Sequence, residues 1–307
     1  MQLRHLRYFV KIVEAGSFSR AAAVIHVAQP ALSQQIAELE EQLGVPLLLR
    51  SARGVRPTPA GEALYKEASS ILCQVERLSD VVRSSGEEVT GSVRVGMSST
   101  LATQFAGGLM EASRAALPKI MLQFASADSL SLKARIETHT LDLAIVFEDQ
   151  YDARFLREPI FRQRLFYVLR QSRASKASVS LSGLASLPIV LPSMPNGLRV
   201  MVDEAFAKMD IVPNMVAEAD VFSSILAAVS RGIGGTILPI SDILDVAGVP
   251  LKAVPIVEPT LHMTASLVWS NDFPLTRAGE AVRRLIVSYL KANVIPSPAT
   301  GLELLGG

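Results

Sequence analysis

Residues 28–44 read AQPALSQQIAELEEQLG. Leu32, Ile36, Leu39 and Leu43 recur at steps of four, three and four, which on a helix makes one apolar stripe. Pro30 suits a first helical turn and Gly44 a stop. The opposite face raises the question that decides the fold. Pro30, Gln34, Ala37 and Glu41 lie on it, with Gln29 and Ser33 on its flank, so amides and a hydroxyl collect at the helix start. Glu38, Glu40 and Glu41 collect at the end. An ordinary solvated face mixes Lys and Glu along its length.

The neighbouring stretches narrow the answer. Upstream, Leu3, Leu6, Val10 and Val13 predict a first amphipathic helix, which AGSF interrupts with Gly16 as a stop and Ser17 or Ser19 as a cap. SRAAAVIH predicts a second short helix whose Ala21, Ala22 and Ile25 face inward, the alanines letting another helix come close. VAQP then leads into the stretch above. Two short helices joined by a tight turn, the second polar at its start, suggest a helix-turn-helix. Downstream, Leu47–Leu49 reads as a strand, Arg53-Gly54 as a turn and Val55-Arg56 as the return, so Arg50, Arg53 and Arg56 gather on a cationic wing. Leu64, Ala68, Ile71, Val75, Leu78 and Val82 then alternate steps of four and three, an a/d seam of nearly three heptads that predicts a dimer. The plainer alternative is a helix packed on its own domain, and Cys73 lies off the seam. SSGEEVTGS (84–92) reads as a polar hinge.

Beyond the hinge the texture becomes α/β. Strands are expected at 93–97, 120–125, 141–147, 165–169, 189–191, 235–239 and 261–269, and helices at 102–116, 128–138, 198–209, 221–231 and 276–292. Such alternation implies a mainly parallel sheet covered on both faces, and the length favours two lobes over one. The tail IPSPATGLELLGG is expected to fray.

The whole chain has 307 residues, 49% hydrophobic and 19% charged, enough for a sizeable core and at least two domains. Net charge is only +1, yet residues 1–60 carry seven bases against four acids, a basic excess at one end that suits a polyanion. The single cysteine, Cys73, excludes a disulfide framework. No signal peptide or bilayer-length apolar run is read, so a cytoplasmic protein without membrane contact is expected. His5, His26, His139 and His262 are scattered with no HExxH, so neither a metal nor a cofactor is expected. SRGIGGTILP lacks GxGxxG spacing and reads as a helix-to-strand turn, PSMPNG (192–197) reads as a loop, and no GxSxG or Walker motif supports an enzyme.

LRYFVKIVEAGSFSRAAAVIHVAQPALSQQIAELEEQLGVPLLLRSARGVRPTPAGEAL closely resembles the winged helix-turn-helix of the LysR-type transcriptional regulators. The likeness is dense over about the first 65 residues and thinner beyond. RVMVDEAF (199–206), AQPALSQQ and RGVRPTPAGE also look like the nitrogen-assimilation-control branch. The resemblance implies a DNA-binding domain over 1–58 and a linker and dimerisation helix over 59–89. An effector-binding domain over 90–307 follows, built like a periplasmic binding protein from two Rossmann-like α/β subdomains. Subdomain I would hold about 90–161 and 265–296, and subdomain II about 162–264. It further implies a sequence-specific regulator, activating or repressing, that binds double-stranded DNA as a dimer or tetramer and contacts RNA polymerase.

On that footing the polar start of the third helix has a physical reading. Gln bonds adenine bidentately and Ser bonds either a base edge or a phosphate. The helix N-terminus offers backbone N–H groups and partial positive charge to phosphate. Ala28, Gln29, Pro30, Ser33 and Gln34 match the family's DNA-facing positions, with Arg50 and Arg53 on the wing. Relatives often carry Arg where this chain has Gln34, so an adenine contact is expected instead. The alternative is that these are merely solvated polar residues.

For the second domain, ligands in parallel α/β lobes bind at the carboxyl ends of strands. GMSSTLA (96–102) and SADS (126–129) each follow a strand and open a helix. Ser98, Ser99, Thr100, Ser126 and Ser129 are therefore expected to hold a small anionic effector, the alternative being plain N-capping. The nitrogen-control branch implies a cleft without an effector. A solute-binding protein or an α/β enzyme would lack the basic winged head.

Overall fold

The structure is a computed structural model that describes residues 1–51, 54–83, 89–148, 152–174, 177–239, 245–246, 248–296 and 301–305. It divides into two compact units, residues 1–87 with 137–140, and residues 88–136 with 141–307.

In the first unit, α1 (Leu3–Ala15) buries Leu6, Phe9, Val10 and Ile12 and ends at Gly16, whose φ of 61° needs no Cβ. Leu3 remains exposed, so Phe9 and Ile12 carry the inward face beside Leu6 and Val10. Helix α2 (Phe18–Val24) is capped by Ser17, whose hydroxyl accepts from Arg20 N. Its buried Ala21 and Ala22 let α1 and α3 close over it. Helix α3 (Gln29–Leu43) buries Leu32, Ile36 and Leu39 completely, whereas Leu43 is exposed at the far end. Strands β1 (Leu48–Ser51) and β2 (Gly54–Pro57) pair antiparallel, Ser51 opposite Gly54. Thr58 caps α4 (Pro59–Arg83), its hydroxyl accepting from Gly61 N at 3.0 Å and donating to Pro46 O at 2.8 Å. Gly61 is required there, because a Cβ would stand 2.0 Å from Leu47 O.

The second unit has two lobes. In the first, β3 (Gly91–Ser98), β4 (Ile120–Ala127) and β5 (Leu143–Glu148) are parallel. The chain leaves along β6 (Phe155–Arg164) and returns along β14 (His262–Ser270), which lies antiparallel between β5 and β6. β15 (Leu302–Leu304) closes the order β15-β6-β14-β5-β3-β4. Helices α5 (Ser99–Ala116), α6 (Ser129–Glu137) and α10 (Arg277–Asn293) cover it. The second lobe has an antiparallel sheet in the order β11 (Thr236–Leu238), β7 (Phe166–Arg170), β13 (Val249–Val257), β12 (Asp245–Val246), with β8 (Val179–Ser180) parallel to β13. A parallel pair, β9 (Ile189–Pro192) and β10 (Met215–Ala219), meets it through a bridge from Ile189 to Gly235. Helices α7 (Leu181–Leu184), α8 (Gly197–Ala207) and α9 (Phe222–Ser230) complete the lobe.

Two expectations are corrected. The sheets are mixed rather than mainly parallel, because β14 runs antiparallel to β5 and β6, and β7 antiparallel to β11 and β13; β6, β10 and β13 carry no strand pattern in the sequence. β6 holds Pro159 at a break in its pairing with Ala265 and Ser266, and β13 holds Pro250 and Pro255. The tail does not simply fray, since Leu302–Leu304 pairs with Phe161–Gln163.

Candidate nucleic-acid interface and ligand cleft

The apolar stripe of α3 turns its polar start outward. Ala28, Gln29, Pro30 and Gln34 are exposed and Ser33 is half-buried. Ala28 stands at the N-cap without a side-chain cap, and Pro30 takes the first turn. The polar groups bond along their own helix, Gln29 Nε2 donating to Ser33 Oγ at 2.9 Å and Gln34 Nε2 to Glu38 Oε1 at 3.1 Å. These exposed bonds are exchangeable for bonds to a ligand at small cost.

The acids at the other end have structural work that sequence reasoning missed. Glu38 also accepts from Gln35 Nε2 at 2.9 Å, and Gln35 Oε1 meets His5 Nε2 of α1 at 3.1 Å. Glu40 Oε1 accepts from Leu47 N at 2.7 Å and Leu48 N at 3.1 Å, so one carboxylate ties α3 to the first strand of the wing. Only its place, seven residues before an apolar strand, hinted at this. On the wing's other side, Val55 N donates to Gly16 O at 3.0 Å. A Cβ on Gly54 would lie 2.7 Å from that same oxygen. The wing is therefore pinned at both strands. The exposed Arg50 lays its guanidinium 4.4 Å over the ring of Phe18. Arg56 is exposed as well. Arg53 and the side chain of Val82 lie outside the described residues.

The six seam positions of α4 do not share one environment. Ala68 is fully buried, with Leu64 half-buried beside it, against Leu6 and Val10 of α1. Val75 is half-buried, while Ile71 and Leu78 are exposed at 38% and 62%. The first turns thus serve the head's own core, and the later turns leave apolar side chains uncovered within this chain.

In the second unit, a cleft of about 80 Å³ lies between the lobes, and Ser98, Ser99, Thr100 and Ser129 line it. Ser126, the last residue but one of β4, lines the adjoining groove and bonds Ser99 Oγ at 3.2 Å. Ser98 Oγ is buried with no hydrogen-bond partner. The opposing wall comes from the second lobe: Asn196, Asp220 and Phe222 face the serines. PSMPNG is accordingly a cleft wall, with Asn196 capping α8 by accepting from Arg199 N at 3.2 Å. The signal available in the sequence was the same as for the serines, a cap at the carboxyl end of a parallel strand. Buried Arg199 braces this wall, donating to Pro192 O, Asp203 and Glu218 at 2.7–3.0 Å. Burial opposes its charge, but the bonds to Glu218 and Asp203 outweigh that and raise its pKa. Asp128 and Asp220 both line the cleft, and no Lys or Arg does among the described residues. Asp128 is partly committed to α6, accepting from Ser131 N at 2.9 Å.

Among the described residues no helix is long and apolar enough to cross a membrane. Residues 3–62 match the bacterial regulatory helix-turn-helix protein family, lysR type, and residues 86–291 the LysR substrate binding domain. The chain is 33% identical to the nitrogen assimilation regulatory protein nac of Escherichia coli K12 over 96% of this chain and 97% of that one. It is also 33% identical to the nac protein of Klebsiella aerogenes, over 94% and 95%. Its fold is shared with full-length CbnR in complex with its target DNA, at a TM-score of 0.69, 20% identity and coverage of 95% and 99%. A full-length OxyR from Pseudomonas aeruginosa aligns at 0.67 and 24%, covering 95% of each chain. The family's members are transcription regulators rather than enzymes. The chain therefore belongs to the LysR family, and is a DNA-binding transcriptional regulator whose C-terminal domain is of the effector-binding type.

Proposed function

We propose that Gln29, Ser33 and Gln34 read base edges in the major groove while Arg50 and Arg53 hold phosphate or a narrow minor groove. The observation that carries this is the exposed polar start of α3 on a helix whose opposite face buries Leu32, Ile36 and Leu39 completely. Two copies joined along the exposed later turns of α4, through Ile71, Val75 and Leu78, present two such helices to an inverted-repeat operator. Contacts between effector domains extend the dimer to a tetramer that meets RNA polymerase in the cytoplasm. The 33% identity to the two nac proteins supports placing the chain on their branch.

For the cleft, the unpartnered Ser98 hydroxyl supports a small ligand that hydrogen-bonds to it. The acidic pair, Asp128 and Asp220, revises the expected charge. A neutral or cationic molecule suits this wall better than the anion that the serines alone suggested, because two carboxylates repel a third.

Gel shifts and footprints on the DNA flanking the protein's own gene test the operator reading, with a protected inverted repeat expected. Protection without two-fold symmetry overturns it. Ile71→Lys with Leu78→Lys should lower the mass in sedimentation, and an unchanged mass removes α4 from the dimer interface.

A further inference from the structure

The second lobe holds a cavity separate from the cleft, about 390 Å³ in volume. It lies between β7, the single turn Gln171–Arg173, the segment from β8 to α7, and the turn from α9 to β11. Its body is apolar, with Leu169, Val179, Leu187, Val229 and Val254 in the wall. Arg170 and Arg173 stand in the same wall, and among the described lining residues there is no carboxylate to offset them.

The stretch SRGIGG, read from the sequence as a plain turn, shapes this cavity. Gly232 has φ +75°, and a Cβ on it would lie 3.3 Å from Arg173 Nη2 and 3.6 Å from Arg170 Cδ, so the two arginines converge on that turn. Arg173 Nη1 donates to Gly232 O at 2.9 Å, which fixes one guanidinium. A Cβ on Gly235 would fall 2.2 Å from the ring of Tyr167. These glycines thus make the room that the arginines and the tyrosine occupy. Arg170 Nε is buried with no hydrogen-bond partner. A buried guanidinium N–H without an acceptor is costly, and an anionic oxygen is the acceptor that suits it best. Burial raises the pKa of Tyr167, against smaller opposing effects of the Gly235 backbone and the Arg173 charge, so its phenol stays neutral at pH 7.

We propose that this cavity is a second ligand site, specific for a carboxylate carried on a compact apolar body. Arg170 and Arg173 take the carboxylate, and the leucine and valine wall takes the body. A free inorganic phosphate would satisfy the arginines and leave the apolar wall uncovered, so the organic acid is the better match. The site differs from the cleft in lobe, charge and lining, and does not depend on the cleft's having a ligand.

Calorimetric titration of the full-length protein with hexanoate, hexanamide and inorganic phosphate tests it. Hexanoate should saturate at one per chain. Hexanamide, which has the same body without the charge, should bind about tenfold more weakly or less, and phosphate alone should bind more weakly than hexanoate. Arg170→Gln and Arg173→Gln should each weaken hexanoate about tenfold. Arg231→Gln, at the same turn but outside the wall, should leave it unchanged. Should Arg170→Gln fail to fold, the exposed Arg173 carries the same test. Equal binding of acid and amide overturns the proposal. So does tighter binding of phosphate, wild-type affinity in Arg173→Gln, or an equal loss in Arg231→Gln.

Discussion

The start of α3 and the interlobe cleft are both built at helix N-termini, yet they place their polar groups in opposite ways. On α3, Gln29, Ser33 and Gln34 come from one turn and a half of one helix, the two amides exposed and Ser33 half-buried, and among the described residues they bond within their own helix. In the cleft, Ser98, Asp128, Asn196 and Asp220 come from four separate segments of two lobes, and Ser98 Oγ is buried without a partner. The first arrangement suits a large external surface that brings its own donors and acceptors. The second suits a small molecule that must complete an enclosed set. A face encoded by one helix can be altered one residue at a time, whereas the cleft depends on how several elements are held.

The largest expected effect separates the two units. Leu32→Ala removes a fully buried side chain from the head's core and should cost about 3 kcal/mol. In calorimetry the head's transition should fall while the transition of the second unit stays. A single transition that moves as a whole would show that the units unfold together.

Glu40→Ala comes next. It leaves Leu47 N and Leu48 N without their acceptor and should cost about 2 kcal/mol, weakening binding to every DNA sequence alike because the wing loosens. Glu40→Gln keeps an acceptor and should recover part of the loss. Equal affinity for DNA in Glu40→Ala and wild type, measured by fluorescence anisotropy, would remove the wing tie from the account.

Gln34→Ala should lose about 1–3 kcal/mol on the preferred site and relax preference at one base pair per half-site. Arg53→Ala should instead weaken all sequences and reduce the salt slope by about one unit per half-site. Footprinting and salt titration of both variants exchange the roles of reader and anchor if the results come out reversed.

The smallest effect is a gain. His26 links α2 to α3 with φ 56° and is exposed. Asn tolerates that left-handed conformation better, so His26→Asn should stabilise the head by about 0.5 kcal/mol in thermal melts, with DNA binding intact. A loss of stability would mean that the histidine ring contributes more than the backbone preference.

This same contrast explains what the sequence disclosed. The stripe Leu32-Ile36-Leu39, the cap at Ser17 and the stop at Gly16 are local patterns, and the helices and wing of the head follow from them. The serines of the cleft were visible because each follows a clear parallel strand. Its opposing wall was not, since Asp220 follows β10, whose residues MVAEA are partly exposed at a sheet edge and show no alternation. β6 and β13 were hidden by internal prolines, Pro159 beside a register shift in β6 and Pro250 and Pro255 within β13. The seam of α4 was legible as a period but not as a destination. Leu64 and Ala68 belong to the same repeat as Ile71 and Leu78, and only the position of α1 separates the pair it covers from the pair it leaves bare.

The closing strand β15 bears on how this protein can be handled. Leu302–Leu304 shield the end of β6's outer margin at Phe161–Gln163, which otherwise presents free N–H and C=O groups to any passing strand. Trimming the chain after residue 296, or attaching a purification tag that competes for that margin, would turn a protected boundary into an adhesive one. Preparations that clump for this reason would do so through the first lobe of the second unit, and lengthening the spacer before a tag should restore their solubility.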